Sequence, residues 1–133
     1  MKENKILDAS ALAMIILQED GWKKVPMDER TITLDFAFIE VLNALWKAVT
    51  QGRIDKEDAE ERCEILNELR EGLIVYPSYK YFSKALKISL AENITIYDSL
   101  YIAVGINQSA ILYTADFKQF NIARKYLRVK LVD

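Results

Sequence analysis

The 133-residue sequence contains no histidine, one cysteine, two prolines and four glycines. Without histidine, no imidazole is available to activate Cys63 as a nucleophile, so that thiol is expected in the core. A single cysteine also excludes an internal disulfide and zinc-finger spacing, which fits a reducing, intracellular setting. The shortage of proline and glycine leaves little room for disordered linkers, and no shift of composition marks a second domain. One domain over residues 1–133 is therefore expected. The first apolar stretch is broken by Asp8 and Ser10 and is too short to span a bilayer, so the chain is expected to be cytoplasmic. A net charge of −2 gives no overall attraction to a polyanion, although a bound cation would reverse the sign locally.

What is present is acid in unexpected places. Asp8, Glu40, Asp98 and Asp116 each sit within or at the end of an apolar run: Ile6-Leu7-Asp8-Ala9-Ser10, Phe38-Ile39-Glu40-Val41-Leu42, Ile96-Tyr97-Asp98-Ser99-Leu100 and Leu112-Tyr113-Thr114-Ala115-Asp116. Carboxylates drawn into apolar surroundings need a counter-charge or take up a proton. With histidine and thiolate pairs absent, a hard divalent cation is the natural partner.

The hydrophobic pattern alternates between short β-type runs and longer helical ones, which predicts an α/β fold with a mostly parallel sheet of about five strands and helices on both faces. Strands are expected at 5–7, 31–34, 73–76, 111–114 and 129–132. Helices are expected from Ser10 to about Leu17, and from an N-cap at Asp35 along Phe36, Ile39, Leu42, Leu45, Trp46 and Val49 to Gly52. Asp55 is expected to cap a third, with a stripe of Ala59, Cys63, Leu66 and Leu69 ending at Gly72. Ser78 is expected to open a fourth, and a fifth runs from Ile96 to about Asn107. Ligands of such sheets bind beyond the carboxyl ends of the strands. Asp8 and Asp116 fall at two such ends, and Glu40 and Asp98 in early helical turns, so one pocket can receive all four.

These four segments, in this order, resemble the PIN-domain ribonucleases and in particular their VapC-like toxin branch. The resemblance lies in Asp8-Ala9-Ser10, Glu40-Val41-Leu42-Asn43, Tyr97-Asp98-Ser99-Leu100-Tyr101-Ile102-Ala103 and Thr114-Ala115-Asp116, and covers nearly the whole chain. Ser99, Gly105 and Phe117 depart from the family's usual residues. The resemblance implies a three-layer PIN-like fold and a divalent-metal-dependent endoribonuclease using Mg²⁺ or Mn²⁺, leaving a 5′-phosphate and a 3′-hydroxyl. It further implies a toxin paired with an antitoxin protein, in a homodimer.

On that reading Asp8 and Asp98 are direct metal ligands and Asp116 a third. Glu40 either ligates through water or orients the attacking water as a base. Ser10 and Thr114 either steady these carboxylates or serve as a helix cap and an ordinary strand residue, and Asn43 lies one turn from Glu40, where it can reach that side chain or the substrate. Trp46, Tyr79, Tyr81, Tyr97 and Tyr101 are expected in core or interface rather than against bases. Lys118, Arg124 and Lys125 are near enough in sequence to Asp116 to reach the rim. The helix bearing Glu40 is apolar on more faces than one core needs, so a second subunit or an antitoxin helix is expected to cover the surplus. The alternatives are a housekeeping PIN nuclease in RNA processing and a PIN-like module without catalysis. A phospho-acceptor receiver domain is disfavoured because the third strand ends Val75-Tyr76-Pro77, with no acid.

Overall fold

The computed structural model describes residues 3–133. Five strands form one sheet: β1 (Lys5–Leu7), β2 (Thr31–Leu34), β3 (Ile74–Tyr76), β4 (Ile111–Thr114) and β5 (Val129–Leu131), in spatial order β3-β2-β1-β4-β5. Every neighbouring pair is parallel, with Ile6 beside Ile32 and Leu112, Leu34 beside Tyr76, and Thr114 beside Leu131. Parallel sheets are covered on both faces, and the inner strands accordingly read as unbroken buried runs, Thr31–Leu34 and Ile111–Thr114. The edge strand β3 differs: Ile74 and Val75 are exposed.

The helices are α1 (Ala9–Leu17), α2 (Ala37–Thr50), α3 (Lys56–Glu71), α4 (Phe82–Glu92), α5 (Ile96–Asn107) and α6 (Phe117–Ala123). The chain steps from β1 through β2 to β3 in one direction, then returns past β1 to β4 and β5. Right-handed crossovers therefore put α1–α3 on one face and α4–α6 on the other. Packing of α1 with α2 and α3, and of α4 with α5, follows that division. The reversal between β1 and β4 opens a crevice at their carboxyl ends.

Several boundaries differ from the sequence reading for physical reasons. Asp35 does not cap α2; its Oδ1 accepts from the amides of Phe36 at 2.8 Å and Ser78 at 3.3 Å, pinning the loop after β3. α2 buries Ala37, Val41, Leu45 and Ala48, while Ile39, Leu42 and Trp46 point outward. Two alanines share the buried stripe with Val41 and Leu45 and let the helix approach its neighbours closely, while other large apolar residues lie on another face. Ser78 starts a 3₁₀ turn, Ser78–Tyr81, before α4 begins. Leu73 is buried but precedes the paired part of β3, and Val132 follows β5. The short helix α6 has no counterpart in the expected elements. Asp55 caps α3 as expected, accepting from the Asp58 amide.

Gly105 allows α5 to cross the sheet closely. A Cβ there would collide with Leu127 and touch Ile6. Gly21 adopts φ +92°, and its absent side chain would run into the backbone of Asp133.

Candidate active site

Helix capping places the acids. Asp8 follows β1 with extended backbone, φ −80° and ψ 175°, and caps α1 by accepting the Ala11 amide on Oδ1 at 3.0 Å. Asp116 does the same after β4, accepting on Oδ1 from the amides of Lys118 at 2.8 Å and Gln119 at 3.2 Å. Both helix starts favour negative charge, and one oxygen of each carboxylate is fixed by the backbone while Oδ2 remains outside these bonds. Thr95 caps α5 and accepts from the Asp98 amide at 3.3 Å, putting Asp98 in the first turn. Glu40 occupies the first turn of α2.

Two hydroxyls join the ends of β1 and β4. Ser10 Oγ donates to Asp8 Oδ1 at 2.6 Å, lies 3.2 Å from Thr114 Oγ1, and accepts the Ala115 amide at 2.9 Å. Thr114 Oγ1 in turn accepts the Asp116 amide at 3.1 Å. Ser10 is therefore a link between Asp8 and the β4 end, while the cap of α1 is Asp8. Asn43 is exposed and makes no hydrogen bond to Glu40 among the described residues. Glu40 Oε1 instead accepts from the buried Tyr101 hydroxyl at 3.3 Å. Tyr101 lies three residues after Asp98 on the same helix, a spacing that brings both to one face.

Burial and neighbouring acids raise the proton affinity of three of the four acids, Asp8, Glu40 and Asp98. Burial pushes Asp8 up to about 6; hydrogen bonds from Ser10, Thr114 and the Ala11 amide oppose this, and repulsion from Asp98 adds to it. Burial pushes Glu40 up to about 7 against the Tyr101 hydrogen bond, with repulsion from Asp98 and Asp8 added. Asp98 is raised by burial and by Asp116, and lowered by the cation of Lys118 and the bond to Thr95. Tyr101 is raised well above the usual phenol value by burial, then by Glu40 and Asp8. No described ion pair involves any of the four acids.

The rim is less basic than its sequence suggested. Lys118 faces the cluster, but Arg124 lies over the Phe120 ring at 5.5 Å and Lys125 binds Glu92 at 2.9 Å. Lys47 instead joins Phe36, Ile39, Glu40, Asn43 and Tyr97 around a groove of about 590 Å³. Tyr97 is 60% exposed and packs on Phe36 with centroids 5.7 Å apart, while Trp46 and Tyr79 are likewise exposed and Tyr101 is core. Gln119, a residue not singled out in the sequence, is buried beside Asp98 and Asp116; polar character alone gave no signal for it.

Hard divalent cations favour oxygen donors, and this site offers only those. Among the described residues no three His, Cys, Asp or Glu side chains enclose an ion as they lie. The fit rests instead on two observations: the all-oxygen donor chemistry, and the repulsion from neighbouring acids that adds to burial at Asp8, Glu40 and Asp98.

Asp8 and Asp116 thus cap helices at the carboxyl ends of the neighbouring strands β1 and β4, the hydroxyls of Ser10 and Thr114 join those ends, and Asp98 and Glu40 lie within electrostatic reach, which defines an acid-rich site at the switch point of a parallel α/β sheet. The PIN domain family matches residues 5–125, and the chain belongs to that family. Ribonuclease VapC3 of Pyrobaculum aerophilum is 30% identical over 115 residues, covering 84% of this chain and 88% of that protein. Exonuclease VapC9 of the same organism is 28% identical over 112 residues, covering 84% and 79%. The crystal structure of DNA-bound VapBC from Salmonella typhimurium superposes with a TM-score of 0.69 at 10% identity, covering 97% of this chain and 98% of that one, a likeness of fold. No described helix is long and apolar enough to cross a membrane.

Proposed function

We propose that this PIN-domain protein is a divalent-metal-dependent endoribonuclease and the toxin of a toxin–antitoxin pair. The observation that carries it is a cluster of acids in which burial and neighbouring carboxylates raise the proton affinity of Asp8, Glu40 and Asp98, with Asp116 beside Asp98 and no described ion pair to any of the four. Such a cluster is costly unless a cation or a reaction needs it. The names of the curated relatives support nuclease chemistry, and the VapBC complex supports an antitoxin partner.

Asp8, Asp98 and Asp116 would hold the ion, with Mg²⁺ or Mn²⁺ matching the all-oxygen donors. When bound, such an ion supplies counter-charge to the phosphate and lowers the pKa of water. Glu40 would take the proton of the attacking water. Tyr101 occupies its Oε1 and leaves Oε2 free for that proton. Ser10 and Thr114 keep Asp8 and the β4 end in register. Lys118 and Lys47 meet phosphate at the two sides of the crevice, and Asn43 and Tyr97 line the RNA path. The single domain spans residues 1–133. The exposed Ile39, Leu42 and Trp46 of α2 offer the antitoxin an apolar face, and Phe82, Leu86 and Leu90, a stripe at four-residue spacing on α4, offer one for a homodimer.

Linear and covalently circular single-stranded RNA, each incubated with the purified chain in Mg²⁺, Mn²⁺ or EDTA, test the reading. Cleavage of both substrates with metal, and 5′-phosphate products, are expected. Undiminished cleavage in EDTA would sink the metal mechanism, and cutting confined to the linear substrate would make the protein an exonuclease.

A further inference from the structure

Gln119 is 1% exposed, yet it carries an amide whose two ends are treated differently. Its Nε2 donates to the backbone carbonyl oxygen of Asp98 at 3.0 Å. Its own backbone amide donates to Asp116 Oδ1 at 3.2 Å. The side-chain Oε1 is buried with no partner. The orientation of the amide follows from its neighbour, because turning it over would set Oε1 against the Asp98 carbonyl oxygen. No other described hydrogen bond joins α5 to α6, and α6 otherwise packs on β4 and β5.

A methionine would fill this space without an orphaned acceptor, so the fold alone gives no reason for glutamine. What the amide adds is a tie between two first turns, each carrying an acid of the cluster. We propose that Gln119 is a positioning residue of the metal centre: it yokes the Asp98 turn to the Asp116 turn and fixes the separation of their carboxylates. This rests on the reading of the cluster as a metal-dependent nuclease site. The yoke acts through backbone and cap, so Gln119 touches neither RNA nor the reacting phosphate. Its effect is on how readily two mutually repelling carboxylates are held at one distance, which is a matter of metal affinity.

Two measurements test it. In the wild-type chain, Mg²⁺ is titrated while the side-chain NH₂ resonances of Gln119 and the backbone amides of Asp98 and Asp116 are followed by NMR. All three are expected to shift with a common midpoint. In Gln119→Met, the metal-free melting temperature is expected to equal or exceed that of the wild type, because the orphaned acceptor is gone. The Mg²⁺ concentration giving half the metal-induced rise in melting temperature should increase about tenfold or more, the scale seen when groups that orient metal ligands are lost. RNA cleavage should recover in part at high Mg²⁺. Wild-type metal affinity in Gln119→Met, or a Gln119 NH₂ signal unmoved while Asp98 and Asp116 respond, would overturn the inference and leave the nuclease reading standing. If the methionine chain fails to fold, the wild-type titration alone decides. Absence of any Mg²⁺ response at Asp98 and Asp116 would overturn both.

Discussion

The two ends of the sheet handle charge in opposite ways. At the amino-terminal edge charges are matched: Lys5 Nζ lies 2.6 Å from Asp28 Oδ2, Arg128 Nη1 lies 2.8 Å from Glu3 Oε1, and Arg30 donates to Asn4. At the carboxyl-terminal edge four acids gather without an ion pair, and three have their proton affinity raised. Both edges belong to the same strands, so the backbone does not account for the difference. Matched charge is what stability alone selects, and unmatched charge marks the place where something else must bind.

Removing one of the unmatched acids should produce the largest effect. Asp98→Asn, assayed for RNA cleavage with saturating Mg²⁺, should lose about 10²–10³-fold or more in rate, on the scale of removing one preorganised electrostatic group. Asp8→Asn should behave similarly, and because asparagine also caps helices, its metal-free melting temperature should hold or rise. A large loss of metal-free stability in both variants would mean that these acids are structural, and the contrast between the edges would collapse.

Acidity gives the next effect. The folded-state pKa of Asp8 lies near 6, above its ordinary 3.8, so the folded protein keeps a proton that the unfolded chain releases as pH rises between those values. Stability from this group is therefore fully present below about pH 4 and lost by about pH 6, by roughly 3 kcal/mol. Glu40, raised from 4.5 to about 7, extends the same fall toward neutrality. Denaturant melts of metal-free protein from pH 4 to 8 should show this decline, flattened in Asp8→Asn. Stability that rises through the same window would contradict it. Mg²⁺ should stabilise more at pH 8 than at pH 5, because it competes with those protons.

The smallest effect belongs to the matched edge. Lys5→Met keeps the aliphatic stem and removes a partly exposed ion pair, for a cost of about 1 kcal/mol or less that shrinks in high salt. RNA cleavage and Mg²⁺ affinity should not change. A Lys5→Met chain with altered metal affinity would show that the two edges are not independent.

The sheet and most of the acid site were legible in the sequence because their signals are local. Ile6-Leu7, Thr31–Leu34 and Ile111–Thr114 are short runs of aliphatic, aromatic and β-branched residues, which suit buried parallel strands, and Asp8 ends such a run where a helix cap is due. The burial of α2 was not legible in the same way. Apolar residues on several faces leave hydrophobicity unable to choose, and the buried face proved to be that of Ala37, Val41, Leu45 and Ala48, of which only Leu45 belonged to the expected stripe. Helix α6 is seven residues long, too short for a periodic signal, so its cap looked like a loop acid. Arg124 and Lys125 looked like rim cations because they follow Asp116, yet that helix carries them toward Phe120 and Glu92. Gln119 needed three dimensions, since its importance lies in a neighbour's carbonyl.

The strand order β3-β2-β1-β4-β5 also has a consequence for biosynthesis. A ribosome delivers Asp8 near the start of the chain and Asp116 more than a hundred residues later, after β3, α4 and α5. Because Asp116 follows β4, which pairs with β1 across the whole intervening chain, the nascent polypeptide carries three of its acids before the strand end that bears the fourth exists. Only when β4 docks against β1, and Ser10 takes the Ala115 amide, do they face one crevice. The four acids therefore cannot share one end of the sheet until β4 has been made and has docked, however early the first three emerge.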